Sequence, residues 1–476
     1  MSYGLNKFST RTKLLGAAVA LVLAGSAQAV TLVGGGATLP SVGYVGANAA
    51  TTTNLQFMGA GTGATNIDAG SLLGVIQTQS SNVVSYCLTG SGAGKNILAG
   101  VVGTSPNTNC TAAKLGFGGT TAGRTLTQAS FAAADAPLAA SDVSNYHTGR
   151  GVAAWPTQFP AIAGAVGIAL NLKDTAGNQI TNANFTTVQV CKIFSHTVTN
   201  WNDATLASAF PSPHVAPNQA INVEYRSDGS GTTFSFSNFL TNNCGSAGLA
   251  NVFETSQTFG STAGGPAGMA LAGSVVTNDF PSGTTMPNGW VGSSGNTGVA
   301  MAVSSTANSI GYVEAANAQK LNASGMTSIQ LAKVNNEDPL ANFGTPLALP
   351  GAAIVYNEAI DTANNTNGTA KLAAIDGAPS TQCIALVAPA NYAVVGSKGG
   401  VLKSGYPIVA ISYLLGNAQS NPVGDLAATQ FLVNGPYNST VTNDVDPGLV
   451  GPGTGLAFLT LGTGAFGNTA PGDCLH

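Results

Sequence analysis

The sequence predicts an α/β protein of two or more domains, and three observations carry that reading. Short apolar runs lead into small-residue turns that carry a hydroxyl or a charged group: residues 30–33 run into Gly34–Pro40, 54–58 into 59–63, and 221–225 into 226–233. Strand, glycine turn, then polar side chain is the layout at the carboxyl edge of an open α/β sheet. Two nearly continuous apolar runs, 161–172 and 406–415, read as buried strands that cross between domains. About 447 residues remain after the leader, enough for full cores in both halves.

The remaining elements follow from local pattern. Residues 188–202 have helical spacing followed by a turn, and 309–313 form another short strand. Residues 70–130 are less regular and read as an inserted loop or subdomain. Residues 260–300, biased to Gly, Ala, Ser and Thr, read as loop-heavy.

The first residues form a signal peptide over 1–29. Lys7, Arg11 and Lys13 precede an apolar core over 14–24, and Ala27-Gln28-Ala29 supplies the small-x-small cleavage pattern. The apolar run is too short to span a membrane. The reading is therefore of an exported chain without a transmembrane segment, periplasmic or extracellular in a bacterium. Six cysteines (Cys87, Cys110, Cys191, Cys244, Cys383, Cys474) agree with an oxidising compartment. Three bridges are possible, and their pairing is open from spacing alone.

Charge is scarce: Lys and Arg number 15 and Asp and Glu 19 in 476 residues, giving a formal net charge of −4. Such a chain lacks the basic patch that a nucleic-acid partner needs. Against this background Arg226 stands out, four residues before the Ser230-Gly231-Thr232 turn. If a helix starts there, the N–H groups of Ser230, Gly231 and Thr232 and the helix dipole converge beside a forked cation, an arrangement suited to a tetrahedral oxyanion. The competing reading is ordinary loop punctuation. Asp135 follows Ala133 and Ala134 in an apolar setting. It either caps a turn or accepts the proton of a protonated anion, which monohydrogen phosphate has and sulfate lacks.

No catalytic, metal or cofactor pattern emerges. His147, His196, His214 and His476 are scattered, and neither H-E-x-x-H nor G-x-S-x-G occurs. The run Thr89 to Asn96 lacks the first Gly and the final Ser/Thr of a P-loop, so Lys95 reads as a solvated loop residue.

The motifs GGGATLP at 34–40, GAGTG at 59–63, ADAPL at 134–138, VCKIFSHTVTNWND at 190–203, RSDGSGTT at 226–233, IGYVEAANA at 310–318 and YPIVAISYLL at 406–415 together resemble one family. It is the phosphate-binding protein of the high-affinity phosphate ABC transporter, most nearly its secreted DING branch. The resemblance implies a type II periplasmic-binding-protein fold with two crossing hinge strands. Its first domain would comprise 30–162 plus 407–476, with the insertion at about 70–130, and its second 163–406. It implies a phosphate cage of Thr38, Leu39, Thr62 (where the family usually has Ser), Asp135, Arg226, Ser230, Gly231 and Thr232. Asp228 would hold Arg226. It also implies bridges Cys191–Cys244 and Cys383–Cys474, leaving Cys87–Cys110 to staple the insertion. The partners implied are inorganic phosphate and, for a periplasmic chain, an inner-membrane permease. Two alternatives accompany this: a secreted phosphatase of the DING type, and a surface or filament subunit able to self-assemble.

Overall fold

A computed structural model describes residues 29–49, 57–59, 66–100, 129–249, 252–259, 286–361, 368–394, 398–419, 421, 424–462, 466 and 470–476. Residues 1–28 of the signal peptide, Thr62 and Cys110 lie outside them. The frame is a sheet of thirteen described strands: β1 (Thr31–Gly36), β2 (Phe57–Met58), β3 (Val83–Leu88), β4 (Phe131–Ala134), β5 (Pro156–Asn171), β6 (Asn184–Phe185), β7 (Asn222–Arg226), β8 (Trp290–Ser293), β9 (Ser309–Glu314), β10 (Gln330–Val334), β11 (Leu347–Leu349), β16 (Val409–Asn417) and β17 (Leu456–Leu461). Two hairpin-like pairs stand apart from it: β12 (Ile354–Tyr356) with β15 (Ala385–Val387), and β13 (Glu358–Asp361) with β14 (Lys371–Ala374).

The apolar run at 161–172 becomes the axis of the molecule. β5 is buried along fifteen of its sixteen residues, as a strand covered on both faces must be. Its first part, Pro156–Ala165, pairs antiparallel with β16; its last part, Val166–Asn171, pairs antiparallel with β9. The exchange of partner at Ala165/Val166 divides the sheet into two lobes. β2-β3-β1-β4-β16 lie to one side and β9-β7-β8 to the other. The second run, read at 406–415, forms β16 from Val409 on, with a register shift at Ser412/Tyr413. Its first residues reach past the exchange point, where the Ile408 carbonyl accepts from the Val166 N–H and the Tyr406 hydroxyl donates to the Val166 carbonyl.

Three readings of the sequence need correction. Residues 72–99 are not an added loop, because the helix Leu72–Ser80, β3 and the helix Ser91–Ala99 belong to the first lobe, where β3 pairs parallel with β1. Residues 347–361 and 368–387, assigned above to the second domain, pack on the first. Gln158 bridges Ile384, β11 pairs with β17, and the Cys383–Cys474 disulfide ties this segment to the C-terminus. These strands are three or four residues long and lack a long apolar run, so the two long runs dominated the placement of the boundary. Of the stretch read as loop-heavy at 260–300, residues 260–285 lie outside the described residues, and its last part forms β8 and the start of the helix Gly295–Ser305 rather than loop. That helix buries Val299, Ala300 and Val303, packing on β9.

The second bridge, Cys191–Cys244, joins the helix Thr187–Phe194 to the turn after the helix Gly231–Asn243. Cys110 lies outside the described residues, and with it the expected Cys87–Cys110 pair. Among the described residues no helix is long and apolar enough to cross a membrane.

Candidate functional site

Two sets of three parallel strands, one set from each lobe, end at one cleft. In the first lobe β1 leads to Thr38 and Leu39, β3 to Ser91, and β4 to Asp135. In the second, β7 ends at Arg226, β8 leads to Asn296, and β9 ends at Glu314. Close approach of β1 and β4 requires a glycine at Gly36. Its φ is +128°, and a Cβ there would lie 2.1 Å from the Ala133 carbonyl oxygen.

Arg226 is 1% exposed, and its guanidinium is held on all sides. Nε and Nη2 donate to the two Asp228 oxygens at 2.6 and 2.5 Å. Nη1 donates to Thr232 Oγ1 at 3.1 Å and Nη2 to Thr38 Oγ1 at 3.2 Å, so the fork spans both lobes. Asp228 also accepts from the Gly295 N–H at 3.0 Å. A buried charge survives when paired and hydrogen-bonded, and both conditions are met here.

Asp135 stands on the opposite wall, 1% exposed. Its N–H donates to Ser91 Oγ at 2.9 Å, and that hydroxyl lies 3.4 Å from Oδ2. Burial pushes its pKa from 3.8 up to about 7. The Ser412 hydroxyl, the Arg226 charge, the Leu39 N–H and the Ser91 hydroxyl pull the other way. None of them closes a hydrogen bond on Oδ1, which is buried without a partner among the described residues. A carboxylate oxygen in that position is suited to receive a proton from a ligand.

The helix Gly231–Asn243 begins at the cleft, as its sequence suggested, with Ser230 as N-cap. The Ser230 contribution differs from the expected one: its N–H donates to the Gln257 carbonyl at 2.8 Å, and its hydroxyl accepts from Thr233 N–H at 3.0 Å. Gly231 and Thr232 therefore offer the helix's leading N–H groups. Gly231 also seals the cleft, since a Cβ there would sit 2.3 Å from Asp135 Cβ and 2.5 Å from Ser91 Oγ. The lobes meet again where the Gly92 N–H donates to the Gly229 carbonyl at 3.2 Å.

Thus the structure brings together Thr38, Leu39, Asp135, Arg226, Asp228, Ser230, Gly231 and Thr232; Thr62 lies outside the described residues. It adds Ser91, Asn296 and Ser412. The signal for Ser91 was present, since β3 runs straight into Thr89-Gly90-Ser91-Gly92, but comparison with a P-loop diverted the reading. Lys95, one helical turn beyond Ser91, is 3% exposed rather than solvated. Its ammonium donates to the Pro137 carbonyl at 2.6 Å and to Asp142 at 2.8 Å, pinning the loop that carries Asp135.

Converging donors with one acceptor, hung on strand ends of two lobes, mark a two-lobed α/β protein whose cleft has the chemistry suited to an anion. The chain belongs to the PBP superfamily, whose domain matches residues 46–364. It is 33% identical over 218 residues to the phosphate-binding protein PstS of Xylella fastidiosa, an alignment covering 46% of this chain and 49% of that protein. The chain therefore spans about half the length of that relative. It is 28% identical over 339 residues to alkaline phosphatase L of Pseudomonas aeruginosa, covering 71% of this chain and 69% of that one. A solved high affinity periplasmic phosphate-binding protein (PfluDING) bound with phosphate superposes with a TM-score of 0.51. It covers 90% of this chain and 91% of its own, at 18% identity. At that identity the likeness is one of fold.

The raised pKa of Asp135 gives a test of the site without ligand. The native state holds a proton that the unfolded chain releases above its ordinary value of 3.8, so the unfolded state binds fewer protons between about pH 4 and pH 7. This group's contribution is full below about pH 4 and is lost as pH rises through about 7. Denaturant unfolding of anion-free protein should therefore show Asp135→Asn gaining on the wild type across that window, by at most about 4 kcal/mol. A difference that does not change with pH would show that Asp135 ionises as an exposed carboxylate does.

Proposed function

We propose that the protein captures inorganic phosphate in this cleft and holds it without chemical change. The observation that carries the reading is the pairing of opposites across the closed site. A fully buried Arg226 with hydroxyl and helix-end donors faces a buried carboxylate whose Oδ1 awaits a proton donor. With Asp135 ionised, hydrogen phosphate supplies acceptors to the first wall and a proton to the second, whereas sulfate supplies only acceptors and leaves the carboxylate facing a lone pair. The names of the PstS relatives and of the phosphate-bound PfluDING structure support the same ligand.

In this reading Thr38, Leu39, Ser91, Arg226, Gly231 and Thr232 donate to the anion, Asp135 accepts, and Asp228 holds Arg226. Ser230 acts through the helix cap. The hinge lies at the β5 partner exchange, Ala165/Val166, and the lobes close around the ligand. The chain is exported; in the periplasm its partner is an inner-membrane phosphate permease, and outside the cell it serves phosphate capture.

Calorimetry checks the assignment. Asp135→Asn should weaken phosphate binding by roughly 10- to 100-fold and admit sulfate, in line with the loss of one hydrogen bond to a charged group. Wild-type affinity and selectivity in that variant would remove Asp135 from the site.

The similarity to a protein named alkaline phosphatase L favours a second reading, phosphoester hydrolysis in the same cleft. Among the described residues no three His, Cys, Asp or Glu side chains stand together to hold a metal ion; the cleft offers such a reaction the charged groups of Arg226, Asp228 and Asp135. Rigorously purified protein is predicted to leave a chromogenic phosphoester intact. Turnover that disappears in Arg226→Ala would establish the enzyme instead.

A further inference from the structure

We infer that Asn296 is a positioning residue that forces the hydroxyls of Thr38 and Thr232 to act as donors toward the bound anion; this rests on the reading of the cleft as an anion site. Asn296 is the second residue of the helix Gly295–Ser305 and is 1% exposed. The Glu314 N–H, at the carboxyl end of β9, donates to its Oδ1 at 3.0 Å. A flipped amide would set NH2 against that N–H, so the amide has one permitted orientation. Nδ2 then faces both threonines, 3.3 Å from Thr38 Oγ1 and 3.2 Å from Thr232 Oγ1.

The same two oxygens receive the Arg226 fork, Nη2 at 3.2 Å on Thr38 and Nη1 at 3.1 Å on Thr232. A hydroxyl has two acceptor sites and one proton, whereas a guanidinium and an amide NH2 have no acceptor to offer. With each oxygen taking one N–H from Arg226 and one from Asn296, both lone-pair positions are occupied. The proton is left for the ligand. Without an anion Thr232 Oγ1 donates to Asn296 Oδ1 at 3.4 Å, a longer contact than the 3.2 Å one to Nδ2, and an anion oxygen at ordinary hydrogen-bond distance takes its place. Donation from a cation polarises the hydroxyls and strengthens their own donation.

Two consequences follow. The hydroxyls favour ligands rich in acceptors and meet donor-bearing groups with no free lone pair. Because Thr38 belongs to the first lobe while Asn296 and Arg226 belong to the second, the contact that sets the proton direction forms only when the lobes meet. Asn296 thus makes the donor orientation of Thr38 a property of the closed state, whereas Thr232, in the same lobe as Asn296 and Arg226, is oriented in either state.

A double-mutant cycle read by calorimetry with inorganic phosphate tests this. Asn296→Ala should weaken binding about tenfold or more in the wild-type background. In a Thr38→Val background, where one of its two targets is gone, the same substitution should cost clearly less. An equal loss in both backgrounds overturns the inference, because a residue that only packs the helix end gives additive effects. Should Asn296→Ala not fold, Asn296→Asp takes its place in the cycle, since it retains the acceptor for the Glu314 N–H. A wild-type chain that takes up no phosphate would instead overturn the phosphate reading and this inference with it.

Discussion

Everything in the cleft is arranged around one buried cation. A guanidinium removed from water is costly unless its donors are met, and in a chain with few charges Arg226 is met within two residues of itself. Asp228, two residues further along, takes two of its five N–H groups, Thr38 and Thr232 take one each, and one Nη1 N–H is left over. Because one of those threonines lies across the cleft, satisfying the arginine and closing the lobes are the same event. The positive charge left over after pairing is directed at the space where an anion would sit. Asp228 moderates that charge and is itself anchored by the first N–H of the helix Gly295–Ser305.

The second constraint is the fold's habit of delivering polar groups at strand ends. Parallel strands release their chain at the same edge, and each turn there is built of residues small enough for backbone to approach backbone. Gly36 and Gly231 show how tight this is, since a methyl group at either would overlap a neighbouring strand or the opposite wall. A surface poor in charge suits such a design: few stray charges compete with Arg226 and Asp135 for the field inside the cleft.

Much of this was legible in the sequence, for physical reasons that can be named. β5 announced itself as an unbroken apolar run, and the Arg226-to-Thr233 segment announced a cation beside a helix start. Asp135 stood out as a carboxylate among alanines. What was hidden depended on contacts distant in sequence. Ser91 looks like any serine in a glycine-rich turn until β3 is seen to lie beside β1. Asn296 sits in a stretch whose composition reads as loop, and its importance comes from Glu314 and the two threonines it meets. Lys95 was taken for a solvated residue because its partners, Pro137 and Asp142, lie more than forty positions away. The boundary near 406 failed similarly, since strands of three residues leave no periodic trace.

The central claim is that the closed cleft is shaped for one hydrogen phosphate. Its most direct test is the ligand content of protein purified from cells without added phosphate, released by denaturation and assayed alongside sulfate. The account predicts close to one phosphate per chain and essentially no sulfate. Protein that folds and closes yet yields no phosphate, or yields sulfate in comparable amount, would contradict it.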